Sequence, residues 1–192
     1  MVNGRLWIAF DCETTGFPPI GRLIEISAIL FNDSGKVLDE FHAFVFPPVA
    51  VPSFITRLTG ITSEMLTDAE SASVVLGKFV GWLNPQATLV AHNALFDVRI
   101  LVREEPAVIG AISNPIIDSL PIAKTLGCFP NNKLETIGAY LCPEVSGYHR
   151  AAADSQIVIK LLLHAIDCRI DVEYPELFSG QSLRSMLDSV QR

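Results

Sequence analysis

The chain has 192 residues, 49% of them hydrophobic, with a mean hydropathy of +0.38, which suits one domain with a sizeable core and excludes a disordered chain. Its 14 Lys and Arg against 21 Asp and Glu give a formal net charge of −7; a protein that coats long duplexes would carry a basic face, so any contact with nucleic acid is expected at a few terminal nucleotides. No apolar run reaches the ~18 residues of a membrane helix, no signal peptide is expected, and four cysteines without C-x-x-C spacing (Cys12, Cys128, Cys142, Cys168) suit reduced thiols in a cytoplasmic protein rather than a zinc site.

In chain order, Trp7-Ile8-Ala9-Phe10 is a short apolar run without polar alternation, the pattern of a strand buried on both faces. Leu23 to Phe31 and Val37 to Phe46 follow as the second and third strands, joined by the turn Asn32-Asp33-Ser34-Gly35. The three form an antiparallel meander that ends in the proline-rich loop Pro47 to Pro52. From Ser53 the pattern turns helical, with Val75, Leu76, Phe79, Val80 and Leu83 at helix spacing. Ala87 to Ala91 predicts a fourth strand, Leu95 to Glu104 a helix and Ile116-Ile117 a fifth strand. Leu134, Ile137, Gly138 and Leu141 mark another helix, and a long one runs from about Ala151 to Ile166. The tail from Asp167 to Arg192 is amphipathic. A meander followed by helix–strand–helix units predicts a three-layer α/β domain around a mixed sheet.

Acids occupy telling positions on this frame. Asp11 and Glu13 leave the first strand on the same side if extended backbone persists. At roughly 5 Å and an effective dielectric near 20 such a pair repels by about 3 kcal/mol, which a shared proton or a divalent cation can offset. Asp154 shares a helical face with Val158, Leu161, Leu162 and Ala165, an apolar face that packs on the sheet. The helix dipole favours an acid in the first turn but does not explain one on the core face. Asp97 repeats the arrangement, sharing a face with Ile100 and Leu101 just past the fourth strand. His149 stands five residues before Asp154, about 140° away were both helical, and is placed instead in a loop after Ser146-Gly147-Tyr148. Histidine is the natural general base near neutral pH.

Taken together, Asp11-Cys12-Glu13-Thr14-Thr15-Gly16, His92-Asn93-Ala94-Leu95-Phe96-Asp97 and His149-Arg150-Ala151-Ala152-Ala153-Asp154 resemble the three motifs of the DEDDh 3′→5′ exonucleases, the family of the proofreading subunit of bacterial replicative DNA polymerase. Arg22-Leu23-Ile24-Glu25-Ile26, Thr59-Gly60-Ile61-Thr62 and Ile117-Asp118-Ser119-Leu120 are weaker family-like segments, and the match spans about residues 5 to 166. Thr59 stands where many members have histidine, and Cys12 where a bulkier or β-branched residue is common. The resemblance implies a ribonuclease H-like fold with a five-stranded sheet in the order 3-2-1-4-5. Residues 1–167 would be the exonuclease domain and residues 168–192 an extension packing on it or trailing from it.

The resemblance further implies two divalent cations, Mg²⁺ or Mn²⁺, roughly 3.5–4 Å apart and held by oxygen ligands. Asp11 would bridge them, Glu13 and Asp154 would complete the tighter site, Asp97 would hold the second ion, and His149 would deprotonate the attacking water to release a nucleoside 5′-monophosphate. The amides of Thr14, Thr15 and Gly16 could face the terminal phosphate and ribose, with Phe96 available to stack on a base or to fill the core. His92 and Asn93 are expected to tie down their turn, and Glu25 and Asp118 to be structural. The expected partner is single-stranded or 3′-terminal nucleic acid, DNA favoured over RNA, with no membrane; a homodimer or a polymerase association is left open. The competing readings are a small-RNA 3′ trimmer, a non-catalytic polymerase-associated module, and a metal-assisted hydrolase of small phosphodiesters.

Overall fold

The computed structural model describes residues 4–143 and 149–188. The loop Ser146-Gly147-Tyr148 lies outside the described residues. Among the described residues six strands form one sheet: β1 (Leu6–Thr14), β2 (Leu23–Asn32), β3 (Val37–Phe46), β4 (Glu70–Ser71), β5 (Thr88–Ala91) and β6 (Ile116–Asp118). The helices are α1 (Ser53–Thr59), α2 (Ala72–Trp82), α3 (Leu95–Glu104), α4 (Pro106–Ile109), α5 (Ser119–Leu126), α6 (Leu134–Leu141), α7 (Ala151–Asp167), α8 (Ile170–Glu173) and α9 (Leu183–Asp188).

Apolar side chains on both faces put β1 at the centre of the sheet. Ile8, Phe10 and Cys12 face a core shared with Val75, Leu76 and Phe79 of α2 and with Val98 and Leu101 of α3. Trp7 and Ala9 point the other way, against Val158, Leu162 and Ala165 of α7. Trp7 and Phe10 are each 1% exposed, and burying side chains of this size contributes about 2–3 kcal/mol apiece. Asp11 and Glu13 continue the Trp7–Ala9 face by alternation and so emerge on the α7 side of the sheet.

Strand order is β4-β3-β2-β1-β5-β6. Without β4 this is the expected order 3-2-1-4-5, including the antiparallel β1–β2–β3 meander and the parallel β1–β5 and β5–β6 pairs. The sixth strand corrects the expected count of five. It is a two-residue rung, Glu70–Ser71, pairing in parallel with Val45 and Phe46, too short and too polar to have a sequence signature. Helix α5 is a second addition. Asp118 caps it by accepting from the Leu120 N–H at 2.9 Å. Its Pro121 sits in the first turn, where a missing N–H breaks no helical bond.

The described part of the tail packs on the same body. Ile170 and Phe178 join the α7-side core, Leu183 and Met186 the opposite one. Gln181 exchanges backbone hydrogen bonds of 2.8 and 2.9 Å with Ile116, covering the free edge of β6. Cys12, Cys128 and Cys168 are free thiols. Among the described residues no helix is long and apolar enough to cross a membrane.

Candidate active site

Three remote parts of the chain meet at the C-terminal end of β1. Asp11 and Glu13 lie opposite Ser27 and Glu25 of β2, and the register slips just after Glu13, where β1 ends. Helix α7 packs across this face and carries Asp154 inward in its first turn, leaving it 7% exposed. Asp11, Glu13 and Asp154 each bring a carboxylate oxygen to within 4.8 Å of the other two. Asp97, 2% exposed in the first turn of α3, comes over the sheet end from the opposite layer. Its Oδ1 accepts the Cys12 N–H at 3.1 Å, which pins it beside β1.

Such crowding is costly while the acids are ionised. Burial, then the charges of Asp97, Asp154 and Glu13, hold the Asp11 carboxyl well above the usual carboxylate range. Burial and the charge of Asp154 push Glu13 up to about 8, with Arg150 pulling the other way. Burial raises Asp97 to about 8 against the opposing hydrogen bond from the Cys12 amide. Asp154 is raised to about 6, again first by burial, while the His149 charge and the His149 backbone N–H oppose the shift. An all-oxygen donor set with this much uncompensated charge fits hard divalent cations such as Mg²⁺ or Mn²⁺ and offers nothing to a thiophilic metal.

Glu25 behaves in the opposite way. Fully buried beside Glu13, it would be raised by burial alone, yet hydrogen bonds from His42, Arg150 and the Ala151 N–H hold it at about 2. These partners leave no local signal in the sequence, because Arg150 is 125 residues away from Glu25 along the chain.

His149 precedes α7 in a left-handed conformation, φ 63°. Its Nε2 lies 3.4 Å from Oε2 of Glu135 on α6, a partner without a signal in the sequence. His92 and Asn93 hold their turn, as expected. The His92 ring meets Ser119 Oγ at 2.9 Å and the Asn132 carbonyl at 2.8 Å, and the Asn93 N–H donates to Asp118 at 2.8 Å.

The loop after β1 is internally tied. Thr14 Oγ1 donates to the Gly16 carbonyl at 2.7 Å. Thr15 engages Arg22 twice, donating its N–H to the Arg22 carbonyl at 2.8 Å and accepting the Arg22 N–H on Oγ1 at 2.9 Å. The Gly16 N–H has only a 3.4 Å contact to Thr14 Oγ1. Arg22 forks Glu104 at 2.7 and 2.8 Å, and Arg103 donates to the Pro19 and Gly21 carbonyls, so the end of α3 holds this loop. Phe96 is half-buried on the α3 core, its ring edge-to-face with Phe17 at 6.2 Å. Phe17 is 78% exposed and was not singled out from the sequence. Thr59 turns inward, its hydroxyl donating to the Ile55 carbonyl and accepting from the Ile61 N–H.

The sheet order is that of a ribonuclease H-like domain with an acidic cluster at one strand end, and comparison with known proteins names the family. Residues 8–162 match the model of the Exonuclease family. The chain belongs to this family, and the residues that resemble the DEDDh motifs fall within the matched span. DNA polymerase III PolC-type of Bacillus cereus is 36% identical over 170 residues, covering 84% of this chain and 12% of the relative. That of Thermotoga petrophila is 31% identical over 184 residues, 95% of this chain and 13% of the relative. The chain thus spans about an eighth of the length of the curated relatives it matches. Among solved structures, the nuclease domain of 3′hExo, a DEDDh family member bound to rAMP, superposes with a TM-score of 0.73 at 18% identity, covering 87% of this chain and 94% of that one. Exonuclease X in complex with 5′-overhanging duplex DNA gives 0.68 at 21% identity, covering 84% and 92%. These likenesses support the fold.

Proposed function

We propose that the chain is a divalent-cation-dependent 3′→5′ exonuclease that releases nucleoside 5′-monophosphates from the 3′ ends of single-stranded or frayed DNA. The observation that carries this is the meeting of Asp11, Glu13 and Asp154 within 4.8 Å, with Asp97 pinned alongside. Asp11, Glu13 and Asp154 would hold one Mg²⁺ or Mn²⁺, and Asp97 with Asp11 a second. When bound, the cations supply charge for the attacking and leaving oxygens of an in-line displacement.

The protein's own groups do the rest. His149, whose Nε2 lies 3.4 Å from Oε2 of Glu135, takes the proton of the attacking water. The Gly16 N–H, the least committed amide of the Thr14–Gly16 turn, donates to the terminal phosphate, while the hydroxyls of Thr14 and Thr15 keep that turn in shape. Phe96, with Phe17 at its edge, offers an aromatic surface to the terminal base. The polymerase relatives favour DNA as the polymer and a polymerase as the protein partner. The solved relatives' ligands include RNA, so RNA is the control. Residues 1–167 form the nuclease domain in this reading, with 168–192 as an extension packed on it, in a cytoplasmic protein.

The test is digestion of matched DNA and RNA oligonucleotides, blocked at the 3′ or the 5′ end, with Mg²⁺, with Mn²⁺ or with chelator. Release of mononucleotides from DNA with free 3′ ends, abolished by 3′ blocking and by chelator, is expected. Turnover in chelator, or insensitivity to the 3′ block, contradicts the proposal.

A further inference from the structure

One buried carboxylate beside the site is left without a role by the reading above. Glu25 is fully buried and is the cross-strand register partner of Glu13, so the two side chains share a face about 5 Å apart at Cβ. A fifth acid next to four crowded ones worsens their repulsion unless it brings a cation with it. The cation is Arg150. Its Nη2 donates to Glu25 Oε1 at 2.9 Å and its Nε lies 3.2 and 3.3 Å from the two carboxylate oxygens. The guanidinium is also stacked over the Phe44 ring, 5.6 Å from its centroid. Glu25 further accepts the Ala151 N–H at 3.1 Å and faces His42 Nε2 at 2.8 Å.

Arg150 lies between His149 and the first turn of α7, its carbonyl accepting the Asp154 N–H at 3.0 Å. Its side chain is 36% exposed and its charge already acts on Glu13. An arginine stem is flexible, and a guanidinium matches paired carboxylates well. Released from Glu25, Arg150 is free to turn to Glu13, the register neighbour of Glu25 on whose carboxyl its charge already acts.

Building on the metal-dependent reading above, we infer that Glu25 is a positioning residue that holds Arg150 off Glu13 and Asp154, so that a divalent cation and not the guanidinium neutralises them. A merely structural pair, fastening the start of α7 to β2, makes a different prediction for the double variant, and this separates the two.

The experiment is calorimetric titration of Mn²⁺ into the protein free of nucleic acid, with folding checked by circular dichroism. Glu25→Gln is expected to weaken Mn²⁺ binding by about tenfold, the effect of one misplaced neighbouring charge. Arg150→Gln is expected to bind no more weakly than wild type. The pair Glu25→Gln with Arg150→Gln is expected to recover to within about twofold of wild type, because the competing cation is gone. If Glu25→Gln fails to fold, Glu25→Asp, which withdraws the carboxylate by one methylene, replaces it with the same expected weakening and the same rescue. Unchanged binding in the Glu25 variant, or a double variant as weak as the single one, overturns the inference. Wild-type protein that binds no Mn²⁺ is a separate result, and it overturns the metal-dependent reading itself.

Discussion

Replacing Asp154 by Asn turns the crowding of the site into a measurable stability. The folded protein holds the Asp154 proton from the ordinary 3.8 up to about 6, so it binds that proton more tightly than the unfolded chain. The stability linked to this group is therefore complete below about pH 4 and is lost as the pH rises through about 6. At about 1.4 kcal/mol for each pKa unit, keeping Asp154 ionised at pH 8 costs about 3 kcal/mol in the metal-free protein. The side chain is 7% exposed, so solvent screens little of this. Asn keeps an acceptor for the His149 N–H and carries no charge. In chelator at pH 8, Asp154→Asn is expected to melt about 6–12 °C above wild type, at about 2–4 °C per kcal/mol for a chain of this size. At pH 4, where the wild-type carboxyl is protonated, the two should melt within about 2 °C of each other. Saturating Mg²⁺ should raise wild type selectively and shrink or reverse the gap at pH 8. A variant no more stable than wild type at pH 8, or equally stabilised at both pH values, would refute the electrostatic reasoning.

Asp11→Ala removes the acid proposed to hold both cations and should abolish mononucleotide release from a 3′-labelled oligonucleotide while leaving the circular dichroism spectrum unchanged; wild-type turnover would remove Asp11 from the site. His149→Ala should slow turnover by about a hundredfold or more with Mn²⁺ affinity preserved, the scale of a lost general base, and an unaltered pH–rate profile would contradict its role. Asp118→Ala removes the cap of α5 together with the anchor of the Asn93 N–H; urea unfolding should show a loss of about 1–2 kcal/mol, and a change below about 0.3 kcal/mol would mean that neither bond matters.

How much of this could be read from the chain depends on how local the signal was. Trp7 to Phe10 announced a central strand without reference to any partner, because an unbroken apolar run fits only where both faces are covered. Asp97 and Asp154 stood out because each interrupts an apolar helix face, and both are buried as that pattern required. Strand β4 left no trace because two residues, Glu70 and Ser71, pair on the strength of where β3 already lies. Helix α5 was hidden by its shortness and by Pro121. The larger gap concerned side-chain networks. That Arg150 answers Glu25, Glu135 faces His149, and Glu104 and Arg103 hold the loop after β1 depends on which elements the fold brings together. None of these pairs has a sequence spacing that marks it.

A cation uniting Asp11, Glu13 and Asp154 would be the centre of the proposed chemistry. A crystal of the wild-type protein grown with Mn²⁺ and measured at a wavelength sensitive to manganese tests it most directly. An anomalous peak bonded to oxygens of all three carboxylates, with a second peak toward Asp97, is the expected result. Ordered carboxylates that enclose no anomalous density, or that turn to arginine side chains instead, would contradict it.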